Sequence, residues 1–307
     1  MKKVLVFGKR GQVASSLNSI VSNSEYKFIF IGSEEMDFNF INKNSIEDLL
    51  KQLNPILVIN TSGFTKVDDA ELNPNEAMKI NGIAVGLIAE SCYKRSIPLI
   101  HLSSDYVFGD NSSKLINPLK KTNPLGRYGK SKQVGEELIK KASKKYKMGI
   151  LIIRLSWVYN HDGDNFIKKI LNQALNKKEI KVVSDQFGGP TSAYSIAKTI
   201  LKLTNYVINN DHPTEKNKSF PWGIYHFQGR PLVSWYDFAN IILEKSYKLK
   251  IIENIPQIIP ISSRELNSIA KRPKNSRLDC SESEKTLGLS MPNWEIDLEY
   301  FLKSQNG

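Results

Sequence analysis

Short apolar runs recur along the first half of the chain, and segments with helical periodicity separate them. Residues 4–7, 28–31, 56–60, 99–103 and 150–155 read as strands. Between them, 12–21, 45–52, 77–95 and 129–145 carry apolar side chains at the three- and four-residue spacing of one helix face. The strands are almost wholly apolar, as expected of strands covered on both sides. Alternation of this kind predicts an α/β fold, a doubly wound parallel sheet of Rossmann type. Ser45 with Asp48 has the spacing of a capping box, which places the start of the second helix at residue 45. Beyond Trp157 the rhythm loosens. Helices are predicted at 167–177, 194–209 and 234–245, with a polar loop at 210–221. Pro256, Pro260, Pro273 and Pro292 then interrupt the chain, so the C-terminal third is expected to form a smaller, loop-rich lobe.

Bulk properties narrow the partners. The chain of 307 residues suits one large α/β domain or two lobes sharing a core. Its formal net charge of +12 reads either as attraction for anionic ligands or as a lysine-rich solvated surface. Lys140-Lys141 and Lys144-Lys145 lie on a predicted helix without the interleaved aromatic residues of a nucleic-acid platform, so no nucleic-acid partner is expected. No apolar run approaches the roughly 20 residues that span a bilayer. The N-terminal apolar stretch is too short for a secretory signal and reads as a first strand. Cys92 and Cys280 are far apart and form no C-x-x-C pair, which suits a reducing, cytoplasmic setting. The four histidines lack ligand spacing, and no metal is expected.

The first candidate chemistry lies in Gly8-Lys9-Arg10-Gly11-Gln12-Val13-Ala14, between the first strand and first helix. Small residues there let the backbone turn tightly and approach a pyrophosphate, which then rests on the helix N-terminus. Residues 1–156 are therefore expected to form a dinucleotide-binding domain, completed by about 187–220. Residues 157–186 and 221–307 are left for a substrate-binding lobe. The second strand ends in Ile31-Gly32-Ser33, with no acid directly there to hold an unphosphorylated ribose; Glu34 comes slightly late. Arg10 lies inside the loop, where a guanidinium suits a 2′-phosphate. NADPH is expected over NADH, with NADH still possible.

The second candidate is Tyr128-Gly129-Lys130-Ser131-Lys132. Tyr128 and Lys132 are four residues apart and share a helix face. An ammonium beside a phenol favours the phenolate, so the tyrosine's pKa is expected to fall below its usual value near 10. Such a tyrosine donates a proton to a carbonyl oxygen while hydride reaches the carbon. Ser104 follows the fourth strand, at the sheet edge where such folds bind ligands. Separately, a Y-x-x-x-K spacing is usually a solvated helix face and a strand-end serine a turn former; their order after a glycine loop makes them a set.

With these residues in place, the chain resembles the dTDP-4-dehydrorhamnose reductase family of the extended short-chain dehydrogenases. The segments that carry the likeness are FGKRGQV, MDF (36–38), NTSGFTKVDDAE (60–71), LSSDYVFGD (102–110) and YGKSKQVGEE (128–137). RLSWVYN (154–160), DQFGGPTSA (185–193), GIYHF (223–227) and RPKNSRLD (272–279) complete them. The resemblance implies NAD(P)H-dependent reduction of the C4 keto group of a nucleotide-linked deoxysugar. It makes Tyr128 the proton donor and Lys132 its partner, which also holds the nicotinamide ribose. Ser104 stands where the family often has threonine and would bond the keto oxygen. Gly8, Arg10, Gly11, Gln12, Val13 and Ser33 fall in the cofactor set, with Asp37 and Phe38 beside the adenine and Gly63, Phe64 and Thr65 lining the cofactor. Trp157 and Gln186 fall near the sugar, and Arg272 and Arg277 are candidates for the diphosphate. Ala14 replaces a more usual glycine, and Thr61-Ser62 are more polar than the family's alanines. The glutamates through which some bacterial members bind magnesium at a dimer interface have no match here, so neither magnesium nor that dimer is expected. Two other readings stay open: a sibling reductase of another nucleotide-linked keto sugar, and a non-catalytic dinucleotide-binding subunit like the regulatory subunit of methionine adenosyltransferase. The sugar, the base and the oligomeric state are left open.

Overall fold

The computed structural model describes residues 1–110, 114–146 and 149–304. Its first half runs β1 (Lys3–Phe7), α1 (Gln12–Ile20), β2 (Lys27–Ile31), α2 (Lys43–Leu53), β3 (Leu57–Asn60), α3 (Val67–Leu72), α4 (Pro74–Met78), α5 (Ala84–Lys94), β4 (Leu99–Ser104), α6 (Arg127–Tyr146) and β5 (Ile150–Leu155). The strands pair in parallel, in the order Gly223–Phe227, β5, β4, β3, β1, β2. The strand order reverses between β1 and β3, where doubly wound sheets bind their ligands.

Period-two alternation sends successive side chains to opposite faces. Val4, Val6 and Ile59 pack with Val13 and Leu17 of α1 and with Ala193, Ile196 and Ile200. The last three belong to the helix Ala193–Asn209. Leu5, Phe7 and Val58 pack on the other face with Ile46 and Leu50 of α2, Ile88 of α5 and Ile139 of α6. A separate core joins Ile167, Ile180, Val182, Phe238, Ile242, Trp294 and Leu298. It lies among the helices Phe166–Asn176, Trp235–Lys248 and Trp294–Lys303 and the parallel strands Glu179–Val183 and Gln257–Ile261. Among the described residues no helix is long and apolar enough to cross a membrane.

Three local expectations are corrected. The second helix begins at Lys43: Asn42 is its cap, taking the Ser45 N–H at 3.0 Å and donating its own N–H to the Ser45 hydroxyl at 3.3 Å. Ser45 is thus the inner partner of the box, and Asp48 has no part in it. The long helix expected at 77–95 contains a π turn over Lys79–Ile83, between α4 and α5. The segment Gly223–Phe227, assigned above to the second lobe, is the edge strand of the large sheet. Its His226 masks the apolar pattern, yet the ring is buried edge-on against Phe108.

Candidate active site

Gly8 leaves β1 with φ +111°, a conformation open to glycine. A Cβ there would also lie 2.6 Å from Thr61 Oγ1 and 2.8 Å from the Ser62 nitrogen, so the glycine turn is pressed against the loop after β3. Gly11 precedes α1, whose first amides receive no side-chain cap. Free N–H groups at a helix start suit an anionic group. Gln12 opens that helix, and its Oε1 is buried without a hydrogen-bond partner among the described residues. Val13 and Ala14 are buried behind it, so alanine fills the third small position without crowding the sheet. The uncapped turn fits a dinucleotide diphosphate, whereas the orphaned Gln12 oxygen, an acceptor, suits a hydroxyl donor rather than the phosphates.

The acids after β2 reach this loop despite their late position. Arg10 pairs with Glu34, and Lys9 pairs with Glu35 at 2.5 Å. Arg10 and Glu34 are both well exposed, at 72% and 58%. Ser33 is exposed between them and the strand. Asp37 is exposed and takes the Asn39 N–H at 2.8 Å, while Phe38 turns inward and packs edge-on against Phe7 at 5.6 Å. Thr61 donates to the Phe7 carbonyl at 2.7 Å and Ser62 to Asn60 Oδ1 at 2.5 Å. The two polar residues standing where the family has alanine are therefore satisfied within the loop.

Ser104, Tyr128 and Lys132 are brought together, each under a tenth exposed. Tyr128 shares a hydrogen bond with Ser104. It stacks edge-on with Tyr106 at 5.3 Å and clusters with Phe64. Lys132 donates to the Leu102 carbonyl at 3.2 Å. Burial pushes its ammonium down to about 8, with Glu136 opposing. Burial pushes the Tyr128 phenol up to about 12; the Ser104 hydrogen bond lowers it and Asp105 raises it further. The expected fall below 10 is therefore corrected. Desolvation of the phenol is the largest effect, and the ammonium is turned to a carbonyl. A phenol that holds its proton at neutral pH is in the form a proton donor requires.

Gly63 brings the loop after β3 against this cluster: a Cβ there would lie 3.0 Å from both Lys132 Nζ and Asn81 Oδ1. Asn81 sits in the π turn, accepts the Phe64 N–H at 2.9 Å, and donates to the Phe64 carbonyl and to Ser131 Oγ, both at 3.0 Å. It thereby fixes the loop to α6. The sequence reading missed it because a π turn leaves no mark in the helical periodicity. Thr65 follows, exposed.

The second-lobe candidates are more dispersed. Trp157 stacks face to face with Trp235, centroids 3.5 Å apart at 9°. Gln186 is buried and bonds Ser263 Oγ at 3.0 Å. Arg272 does not stand free: it pairs with Asp68 of α3 at 2.6 Å and bonds the Ala270 carbonyl at 3.2 Å. Arg277 bonds Asn275 Oδ1 at 2.8 Å and lies over the Phe187 ring at 5.2 Å. The two arginines thus have separate partners.

A glycine turn at the sheet's switch point, pressed on the loop whose Gly63 meets the buried lysine beside the tyrosine, places the protein among the dinucleotide-dependent oxidoreductases of the short-chain dehydrogenase class. The family model described as RmlD substrate binding domain matches residues 1–306, and the chain belongs to that family. It is 33% identical to a dTDP-4-dehydrorhamnose reductase of Aggregatibacter actinomycetemcomitans, over 97% of this chain and 98% of that protein. It is 32% identical to the spore coat polysaccharide biosynthesis protein SpsK of Bacillus subtilis, over 100% of this chain and 99% of that one. Among solved structures, the dTDP-4-dehydrorhamnose reductase of Bacillus anthracis in complex with NADP superposes with a TM-score of 0.85 at 28% identity, covering 99% of this chain and 100% of that one.

Proposed function

We propose that this protein reduces the C4 keto group of a nucleotide-linked deoxysugar with NADPH, converting dTDP-4-dehydro-L-rhamnose to dTDP-L-rhamnose. The observation that carries the reading is the convergence of buried Ser104, Tyr128 and Lys132 beside a glycine-opened loop. The whole-length likeness to named reductases narrows it to this substrate class. NADPH supplies the hydride. Gly8, Gly11, Gln12 and Val13 hold the diphosphate at the start of α1, Arg10 with Ser33 the 2′-phosphate side, and Asp37 and Phe38 the adenine side. Gly63, Phe64 and Thr65 line the cofactor. Tyr128 gives its proton to the C4 oxygen. Lys132 holds the ribose. Ser104 bonds the keto oxygen. Trp157, Gln186, Arg272 and Arg277 belong to the sugar-nucleotide side. In this reading residues 1–156, with the helix and strand that complete the sheet, bind the dinucleotide, and the remainder covers the substrate. The buried, unpaired thiols of Cys92 and Cys280 suit a cytoplasmic setting.

The test is NADPH oxidation, followed at saturating cofactor, with dTDP-4-dehydro-L-rhamnose and with other nucleotide-linked 4-keto sugars. Turnover of the dTDP sugar with a kcat/KM above the rest supports the reading. Preference for another sugar points to a sibling reductase. No turnover of any keto sugar, with NADPH bound, points to a regulatory subunit.

A further inference from the structure

Asp105 follows Ser104 at the end of β4 and opens a single tight turn, Asp105–Val107. Its side chain is 3% exposed. Oδ1 takes the Ser104 hydroxyl proton at 2.9 Å. Oδ2 is buried and has no hydrogen-bond partner among the described residues. The groups that face it are polar but not cationic. Tyr106 comes from its own turn and Tyr128 from α6, and the Asp105 charge raises the pKa of both. Ser276 comes from the C-terminal segment. The guanidinium of Arg272 acts on Tyr106 but is already paired with Asp68. A carboxylate buried without a cation is costly to keep ionised, even with serine hydroxyls beside it. Burial accordingly pushes the Asp105 carboxyl up to about 6, against the Ser276 and Ser104 hydroxyls, which favour the ion.

This bears on Ser104, whose hydroxyl has one proton to give. Its oxygen already accepts the Tyr106 N–H at 3.2 Å, and the hydroxyl also shares a hydrogen bond with Tyr128. An ionised carboxylate only accepts, and so takes the serine proton for itself. A neutral carboxyl donates to the serine oxygen instead and frees that proton.

We propose that Asp105 is a positioning residue: its neutral form turns the Ser104 hydroxyl toward the substrate's keto oxygen, and its ionised form turns it away. The proposal rests on the reductase reading above. Its sign is fixed. Ser104 is in donating form below the Asp105 pKa, and that form is lost as pH rises through it.

The experiment is kcat/KM for dTDP-4-dehydro-L-rhamnose at saturating NADPH, between pH 5 and 9. The wild type should lose about three- to tenfold as pH rises through the Asp105 range, before a second fall near the Lys132 value. Asp105→Asn, a permanently neutral side chain, should lack the first fall and keep the second. Its NADPH affinity, from fluorescence titration, should match the wild type and shows that it is folded. If that variant does not fold, Ser104→Ala decides: with no hydroxyl to turn, the first fall should shrink below about twofold. A first fall of full size in either variant, or none in the wild type, overturns the proposal while leaving the reductase reading standing. A wild type that binds NADPH and reduces no keto sugar overturns both.

Discussion

Arg154 grips Glu136 with two parallel bonds inside the protein, Nε to Oε1 at 2.8 Å and the NH2 nitrogen to Oε2 at 2.7 Å. Both side chains are 1% exposed. Ser103 adds a third bond to Glu136 at 2.7 Å, and Arg154 bonds the Pro118 carbonyl at 2.9 Å. Glu136 lies one helical turn beyond Lys132, so this pair fixes α6, and with it the lysine, to β4 and β5. Burial opposes the Glu136 charge, but the Arg154 bonds and charge prevail and hold its carboxyl below the usual range. Glu136→Gln strands a buried guanidinium and should cost about 3–5 kcal/mol, read as a lower urea midpoint with an unchanged slope. The native pKa is depressed, so the pair's contribution is present above the usual glutamate range and lost as pH falls through the folded value. The gap between wild type and variant should therefore narrow in acid.

Tyr128→Phe removes the proposed proton donor and leaves the ring that packs against Tyr106 and Phe64. We expect kcat to fall about a hundredfold or more, with NADPH affinity nearly unchanged. Near-wild-type turnover in stopped-flow reduction would sink the assignment. Lys132, held near 8, should set an alkaline limb in the wild-type profile, and Lys132→Arg should move it beyond the accessible range.

What could be read without coordinates follows from the range of each signal. The glycine turn and the Tyr128/Lys132 pair are local: a fixed spacing on one strand-turn-helix or one helix face determines where they point. Residues that meet across the chain left no such mark. Asp68 meets Arg272, Trp157 meets Trp235, and Asn81 ties Phe64 to Ser131, each across a separation that no periodicity encodes. The strand pair Glu179–Val183 and Gln257–Ile261 was missed for a related reason. These strands cover one edge of the second core, and Pro260 within one of them argued against a strand. Glu34 comes late in sequence for the end of β2, yet the turn after the strand brings it to Arg10.

Gly63→Ala tests the close approach of the loop after β3 to Lys132. Its Cβ would crowd Lys132 Nζ and Asn81 Oδ1, each at 3.0 Å. The lysine tip can shift by a few tenths of an ångström, but Asn81 is fixed by three bonds. We expect the lysine to be displaced, a kcat loss of about tenfold, and a smaller change in melting temperature than Glu136→Gln produces.

The proposed role of Arg10 in cofactor choice can be tested directly. Its pair with Glu34 is exposed on both sides, so it is weak and yields to a stronger anion. A 2′-phosphate should displace the carboxylate. Arg10→Ala should weaken NADPH about tenfold while changing NADH little, and Glu34→Gln should tighten NADPH. Equal losses for both cofactors in equilibrium titrations would remove Arg10 from the 2′-phosphate site.

The pairing of Arg272 with Asp68 changes what the arginine is expected to do. As a candidate for a substrate diphosphate it is already engaged: one nitrogen bonds Asp68 at 2.6 Å and another the Ala270 carbonyl at 3.2 Å. Asp68 also takes the Ala270 N–H at 2.9 Å, so one carboxylate on α3 fastens both the arginine and its backbone turn. A guanidinium has five N–H donors, and this arrangement leaves some of them unspent. Held in one orientation, Arg272 loses little freedom on binding, which favours recognition of a phosphate through two oxygens. Its charge also acts on Tyr106, the neighbour of Tyr128, which puts the guanidinium on the same side of the fold as the candidate catalytic cluster. Arg272→Ala should raise the KM for the sugar nucleotide at least tenfold and leave the NADPH dissociation constant nearly unchanged. Asp68→Asn keeps the shape but weakens the fastening, and should raise the same KM about threefold with kcat preserved. Kinetics on the two variants, with cofactor titration alongside, separate this from a purely structural latch, which would lower stability without moving KM. Loss of NADPH affinity with an unaltered sugar-nucleotide KM would place Arg272 in the cofactor site instead.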